Sequence, residues 1–218
     1  MNVRLMATIL GKAGYQVDLL VFPAGDDLEM EGVRVIRLPN FFGIKDIPIG
    51  FSWKKLVLDL PLTLYALLLA LKNRYKVIHG IEEGGVIAVV LARLLRRPAC
   101  IFDMDSVMSE QMGGGGGRRS LVQKGVALFE RWSIRNASVI ITVCRSLSET
   151  ARSTAENGTV VQIEDIPLSF AFPAGHEMKA DIDARVTMIE REHNLNTRKT
   201  LLYTGNLQPY QGIDLLLD

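Results

Sequence analysis

The chain is short of the residues that usually announce chemistry. It has only two cysteines and three histidines. His79, His176 and His193 lie far apart, and no Cys/His pair has zinc spacing, so a sequence-encoded metal finger is excluded. Cys100 and Cys144 each sit inside an apolar run, where buried, unpaired thiols are expected in a reducing, cytoplasmic setting. Charge of one sign is lacking too. With 25 Lys+Arg against 24 Asp+Glu the formal net charge is +1, which gives no global pull towards nucleic acid.

Long apolar runs are also scarce. Met1-Asn2-Val3-Arg4 opens an amphipathic stretch and not the apolar core of a signal peptide. The most apolar segment, Leu56 to Leu71 (LVLDLPLTLYALLLAL), carries Asp59 and Pro61 and falls short of the ~20 residues a spanning helix needs. It reads as a core helix or as one facing a membrane surface or a lipid-linked acceptor. Glycine is abundant, but in no phosphate-binding order. Gly113 to Gly117 is followed by Arg118-Arg119-Ser120, with neither the G-x-G-x-x-G spacing of a dinucleotide site nor the Gly-Lys-Ser/Thr of a P-loop. Two readings stand for it: a surface loop, or a lid over an acceptor whose anionic group meets Arg118 and Arg119 at a helix N-terminus.

What is present is a rhythm. Helical spacing over Val3 to Ala13 stops at Gly14. Strand-like runs follow at Gln16 to Phe22 and Val33 to Leu38, then a long helix from about Ser52 to Arg74. Lys76 to His79, Ala99 to Asp103, Ser138 to Cys144 and Thr159 to Ile166 read as strands. Helices at Gly84 to Leu95, Arg118 to Asn136 and Met178 to His193 alternate with them, and Ser146 to Glu149 matches a capping box that launches another. Thr200 to Tyr203 reads as a last strand. Short strands, apolar on both faces and separated by helices, predict a Rossmann-like parallel sheet with helices on both faces. Such sheets bind ligands beyond the carboxyl ends of their strands. Candidate contacts are therefore Glu82 and Glu83 after KVIH, and Asp103, Asp105 and Ser106 at the end of ACIF. The first pair suits hydroxyl recognition or a helix's first turn, and the second set suits ligand contact or an N-cap and turn.

The run ERWSIRNASVIITVCRSLSE (Glu130 to Glu149) resembles the motif E-x-x-x-x-x-x-A-D-x-V-I-x-V-S-x-x-L of family 4 glycosyltransferases. The closing YTGNLQPYQGIDLLLD is similar to their Y-x-G-x-L-x-x-x-K-G-x-D-x-L-L-x-A, and HGIEEGGVIAVVLARLLRRPACIFDMDS looks like their middle strands and active-site turn. The resemblance implies a GT-B fold and a retaining transfer from a nucleotide-sugar to a glycan or lipid-linked acceptor hydroxyl. No resident cofactor and no metal are implied, the nucleotide-sugar being a substrate. It further implies that residues 1–196 form the acceptor-side domain without its first strand, and that 197–218 open the donor domain, so that both ends look truncated. Asp105 stands where the family commonly has a His facing the donor sugar, with Asp103 beside it as a second catalytic candidate. Gly205, Asn206, Gln211 and Gly212 fall in the donor turn. Asn206 and Gln211 replace the usual Arg and Lys, so they bring amides but no positive charge to a diphosphate. A non-catalytic homologue that serves as an interaction module is the alternative expectation.

Overall fold

The computed structural model describes residues 3–25, 29–40, 43–44, 53–96, 98–111, 121–155, 158–166, 176–195, 199, 201–204, 213 and 215. It divides into two compact units, Met1–Asp165 and Ile166–Asp218.

In the first unit the order is α1 (Val3–Lys12), β1 (Val17–Val21), β2 (Val33–Arg37), α2 (Trp53–Lys72), β3 (Val77–Ile81), α3 (Glu83–Leu95), β4 (Ala99–Met104), α4 (Met108–Gln111), α5 (Leu121–Asn136), β5 (Val139–Thr142), α6 (Arg145–Thr154) and β6 (Thr159–Gln162). The second unit carries α7 (His176–Glu192). Every strand pair is parallel, as expected when each returns through a helix or long loop. β1 pairs with β2 in one sheet, and β3-β4-β5-β6 form another in that order. The registers are fixed by pairs such as Val17↔Val33, Ile81↔Asp103, Phe102↔Ile140 and Ile140↔Val160.

Strand alternation sorts β4 into two faces. Cys100, Phe102 and Met104 join Val89 of α3, Ile134 of α5, Ile140 of β5 and Leu147 and Ala151 of α6 in one buried cluster. Ile101 and Asp103 point to the opposite face. The clustered face is tight enough to dictate glycine. A Cβ on Gly85 would lie 2.0 Å from the Phe102 ring, and one on Gly80 would lie 1.9 Å from the Gly84 carbonyl oxygen. Those two glycines let β3 turn straight into α3 and let α3 sit down on β4.

Several element boundaries differ from expectation for physical reasons. β3 continues two residues past His79, because its ladder with β4 runs to Ile81↔Asp103. The expected capping box at Ser146–Glu149 does not form. α6 begins at Arg145 with Cys144 as N-cap and no side-chain cap bond, and Glu149 instead accepts from Arg145 at 2.9 Å, one turn away. Cys100 is buried as expected, but Cys144 is exposed, and both are free thiols. An N-cap position turns its side chain off the apolar strand that precedes it. Finally, Leu201 to Tyr203 are exposed and irregular, not a strand. An apolar run becomes a strand only when a neighbour accepts its ladder, and no described strand pairs with it.

Candidate functional site

The carboxyl ends of β3 and β4 bring together five of the residues singled out from the sequence: Glu82, Glu83, Asp103, Asp105 and Ser106. Glu82 leaves β3 with φ 48° and ψ −119°, a conformation that costs a residue with a side chain about 1–3 kcal/mol. Two backbone bonds hold it there. Its N–H donates to the Asp103 carbonyl at 3.0 Å, and its own carbonyl accepts from the Gly85 N–H at 2.9 Å. This strained turn fixes the Glu82 side chain beside the β4 exit, where the Ser106 hydroxyl donates to its Oε1 at 3.4 Å.

Glu83 opens α3, where a carboxylate suits the helix dipole, and Lys55 of α2 reaches it at 3.6 Å. Asp59, one turn along α2 from Lys55, completes an acidic group at this end of the sheet. Burial, with the Glu83 charge nearby, pushes Asp59 up to about 6 despite the opposing Lys55. Burial likewise raises Glu82, helped by Glu83 and Asp105 and opposed by Lys55 and the Ser106 hydrogen bond. Asp105 is raised chiefly by burial, with Asp103 and Asp165 adding repulsion. Carboxyls lifted this way are stronger proton acceptors than free ones when ionised.

Asp103 is placed differently from Asp105. It belongs to β4 itself and is fully buried. Its Oδ2 lies 3.1 Å from His79 Nε2, so the imidazole N–H donates across the β3–β4 ladder. Its Oδ1 is the single buried side-chain oxygen without a hydrogen-bond partner among the described residues. His79 and Asp103 are diagonal neighbours on one sheet face, because His79 stands opposite Ile101 and Asp103 opposite Ile81. Asp103 thus sits behind the exit turn and Asp105 in it.

The exit turn is pinned from below. Glu130 of α5 is 4% exposed. One oxygen accepts the Met108 N–H at 2.8 Å and the other accepts the Ser109 hydroxyl at 3.1 Å. The carboxylate caps the single turn of α4 and so anchors the segment that carries Asp105 and Ser106. At the neighbouring β5 exit the Thr142 and Ser148 hydroxyls meet at 2.6 Å, and Ser148 donates to Gln162 at 3.1 Å. Uncharged side chains thereby join β5, α6 and β6 at this end of the sheet.

Sequence reasoning brought Glu82, Glu83, Asp103, Asp105 and Ser106 to one place. It missed His79, Lys55, Asp59 and the anchoring role of Glu130. The first three are joined to the site by strand register and helix packing, which leave no local mark. Glu130 did carry a signal, as the first residue of the family-like motif. Arg118, Arg119, Gly205, Asn206, Gln211 and Gly212 lie outside the described residues. A hollow of about 300 Å³ lined by Arg34, Val35, Ile36, Leu69, Lys72 and Asn73 lies between β2 and α2, away from these strand ends.

Comparison with known proteins follows the same lines. The family model described as a glycosyl transferase 4-like domain matches residues 2–163, spanning all six described strands. The chain belongs to this glycosyltransferase family. No curated protein matches it. Among solved structures, a sucrose-phosphate synthase chain from Thermosynechococcus elongatus aligns with TM-score 0.53 and 17% identity, over 87% of this chain and 92% of that one. A second sucrose-phosphate synthase structure from the same organism aligns with TM-score 0.57 and 20% identity over 83% of this chain, which spans only 46% of that structure's length. At such identities the likeness is one of fold: the glycosyltransferase domain has the Rossmann-like α/β architecture of the GT-B enzymes.

Proposed function

We propose that this domain is the acceptor side of a retaining glycosyltransferase, which moves a sugar from a nucleotide-sugar donor to a hydroxyl of a glycan or lipid-linked acceptor. The single observation that carries the reading is the gathering of Glu82, Asp105 and Ser106 at adjacent strand ends of a glycosyltransferase-family fold. A sugar acceptor presents hydroxyls, and ionised carboxylates are pure hydrogen-bond acceptors for them. Asp105 in the exit turn takes the reacting hydroxyl and draws its proton as the glycosidic bond forms. Glu82, held by its strained backbone, and Ser106 orient the acceptor ring, Glu83 adds a further carboxylate, and Arg118 and Arg119 meet an anionic group of the acceptor. Asp103 and His79 position the turn from behind. Gly205, Asn206, Gln211 and Gly212 meet the donor diphosphate, whose departing charge needs further stabilisation from the donor domain. Residues 1–196 are read as this acceptor domain and 197–218 as the opening of the donor domain. The transfer uses no resident cofactor and proceeds in the cytoplasm at the membrane surface.

Asn206 and Gln211 favour one competing reading, since amides without charge hold a diphosphate weakly. A homologue that kept the fold as an interaction module would look the same there. The protein encoded by the complete reading frame separates the two. Incubated with UDP-, GDP- and ADP-sugars, it is expected to release nucleoside diphosphate, with Asp105→Asn lowering kcat at least about a hundredfold, whereas residues 1–218 alone release none. Absence of release and of any thermal shift with every nucleotide refutes the enzyme reading in favour of the module.

A further inference from the structure

The helices over the core expose more hydrocarbon than a soluble surface needs. On α2, Leu60, Leu64, Leu68 and Leu71 are 76%, 55%, 54% and 63% exposed. At 3.6 residues per turn they fall within an arc of about 80° and run about 16 Å along the helix. The buried Leu58 lies on the inward side. On α3, Val90 and Leu94 are exposed, one turn apart, opposite the buried Ala88 and Val89. On α5, Leu121, Leu128, Phe129 and Trp132 are exposed, opposite the buried Gln123, Glu130 and Ile134. These helices pack side by side, α3 touching both α2 and α5. Their outward faces therefore make one broad apolar surface of the kind that marks an interaction site.

The charges on that surface have one sign. Lys72, Arg93, Lys124, Arg131 and Arg135 are exposed on the three helices. Each helix has one carboxylate, and each of those turns inward. Asp59 is partly buried, Glu83 is paired with Lys55, and Glu130 is buried beneath α4. A net charge of +1 thus hides a face with no exposed acid among its described residues.

We propose that the outer surface of α2, α3 and α5 docks on an anionic lipid bilayer. It deepens the acceptor reading and rests on it for its purpose, since it would hold the proposed acceptor site near a lipid-linked acceptor. Apolar residues flanked by Lys and Arg suit the headgroup boundary: leucines enter the acyl region while the long basic stems lie along them and reach lipid phosphates. No described helix is long and apolar enough to cross the bilayer, so the contact lies along the surface. A second copy is a poor occupant, because a twofold interface would set these cations against themselves. A layer of helix backs also offers no groove for a peptide.

The test is sedimentation of the 218-residue chain with vesicles of phosphatidylcholine alone or mixed with phosphatidylglycerol. Binding is expected only with the mixed vesicles, falling as salt rises. Leu64→Gln/Leu68→Gln should weaken it roughly tenfold. Lys124→Gln and Arg131→Gln should each weaken it about fivefold, at about 1 kcal/mol per cation. Melting curves that match the wild type keep these losses separate from misfolding. No binding to mixed vesicles, or binding to neutral vesicles that ignores both salt and the basic substitutions, overturns the proposal. So does a concentration-dependent dimer that Leu64→Gln/Leu68→Gln abolishes while the chain ignores vesicles. The assay needs no donor sugar, so the membrane proposal can fail while transfer is detected, and it can hold where transfer is absent.

Discussion

Glu130→Ala should lower the unfolding free energy of the chain by about 3 kcal/mol. The carboxylate is 4% exposed and accepts two hydrogen bonds, from the Met108 N–H at 2.8 Å and the Ser109 hydroxyl at 3.1 Å. Bonds to a charged group contribute about 1.5–3 kcal/mol each, and a buried donor left unmet costs about 1–3. The two bonds are not equally hard to replace. The Ser109 hydroxyl can rotate to another acceptor, whereas the Met108 N–H is fixed at the start of α4, so the sum falls near the low end of the range. Removing one partner of a buried charged contact costs far more than the contact adds net of its desolvation, and truncation is what this substitution measures. Glu130→Gln separates bonding from bulk. Its carbonyl still meets the Met108 N–H and its amide can donate to Ser109 Oγ, so only the charge assistance goes, about 1 kcal/mol. Urea unfolding of the three chains, compared at equal m-value, reads the difference. If Glu130→Ala falls within 0.5 kcal/mol of wild type, or Glu130→Gln costs as much as Glu130→Ala, the anchor does not exist. The same loosening would reach Asp105 and Ser106, which precede Met108 in the turn it pins.

Gly85→Ala is expected to cost about 1–3 kcal/mol by overpacking, because its Cβ would lie 2.0 Å from Phe102. Gly84→Ala, whose Cβ meets nothing within 4 Å, should be neutral or gain up to about 1 kcal/mol in helix propensity; equal effects from the two would refute the close approach of α3 to β4. Asp59, lifted to about 6 by burial and then by Glu83, keeps its proton in the folded state where the unfolded chain has released it. Stability should therefore fall as pH rises from about 4 to about 6, and Asp59→Asn should gain about 1–2 kcal/mol at pH 7, after allowance for solvent screening, and nothing at pH 4. A gain that is the same at both values shows that the carboxyl is not buried as described.

The fold was legible because its signals are local and repeated. VIIT and ACIF are apolar on both faces, which only a sheet covered by helices can satisfy, and Pro98 stops α3 before Ala99 opens β4. The limits of that legibility lie where a residue's state depends on a neighbour distant in sequence. KVIH looks finished at His79, yet the ladder to Asp103 carries β3 on to Ile81 and delivers Glu82 into its strained turn. Leu201 to Tyr203 look as apolar as any strand, yet no described strand takes up their ladder and they stay irregular. Ser146 and Glu149 have the spacing of a capping box, but the N-cap falls two residues earlier, at Cys144, and Glu149 finds Arg145 within its reach.

The site divides along the same line. Glu82, Asp103 and Asp105 were visible as polar residues placed where strands end. Their different environments were not, because a carboxyl's role follows from what is packed around it. Asp103 and Asp105 are two residues apart and share a side-chain type. One is sealed in the sheet with His79 on its Oδ2, and the other stands in the exit turn with its carboxyl raised by burial. Their places along the strand separate them: Asp103 lies within the ladder with His79 beside its Oδ2, and Asp105 is the first residue beyond it. This is why Asp105 carries the proposed proton transfer and Asp103 holds the turn.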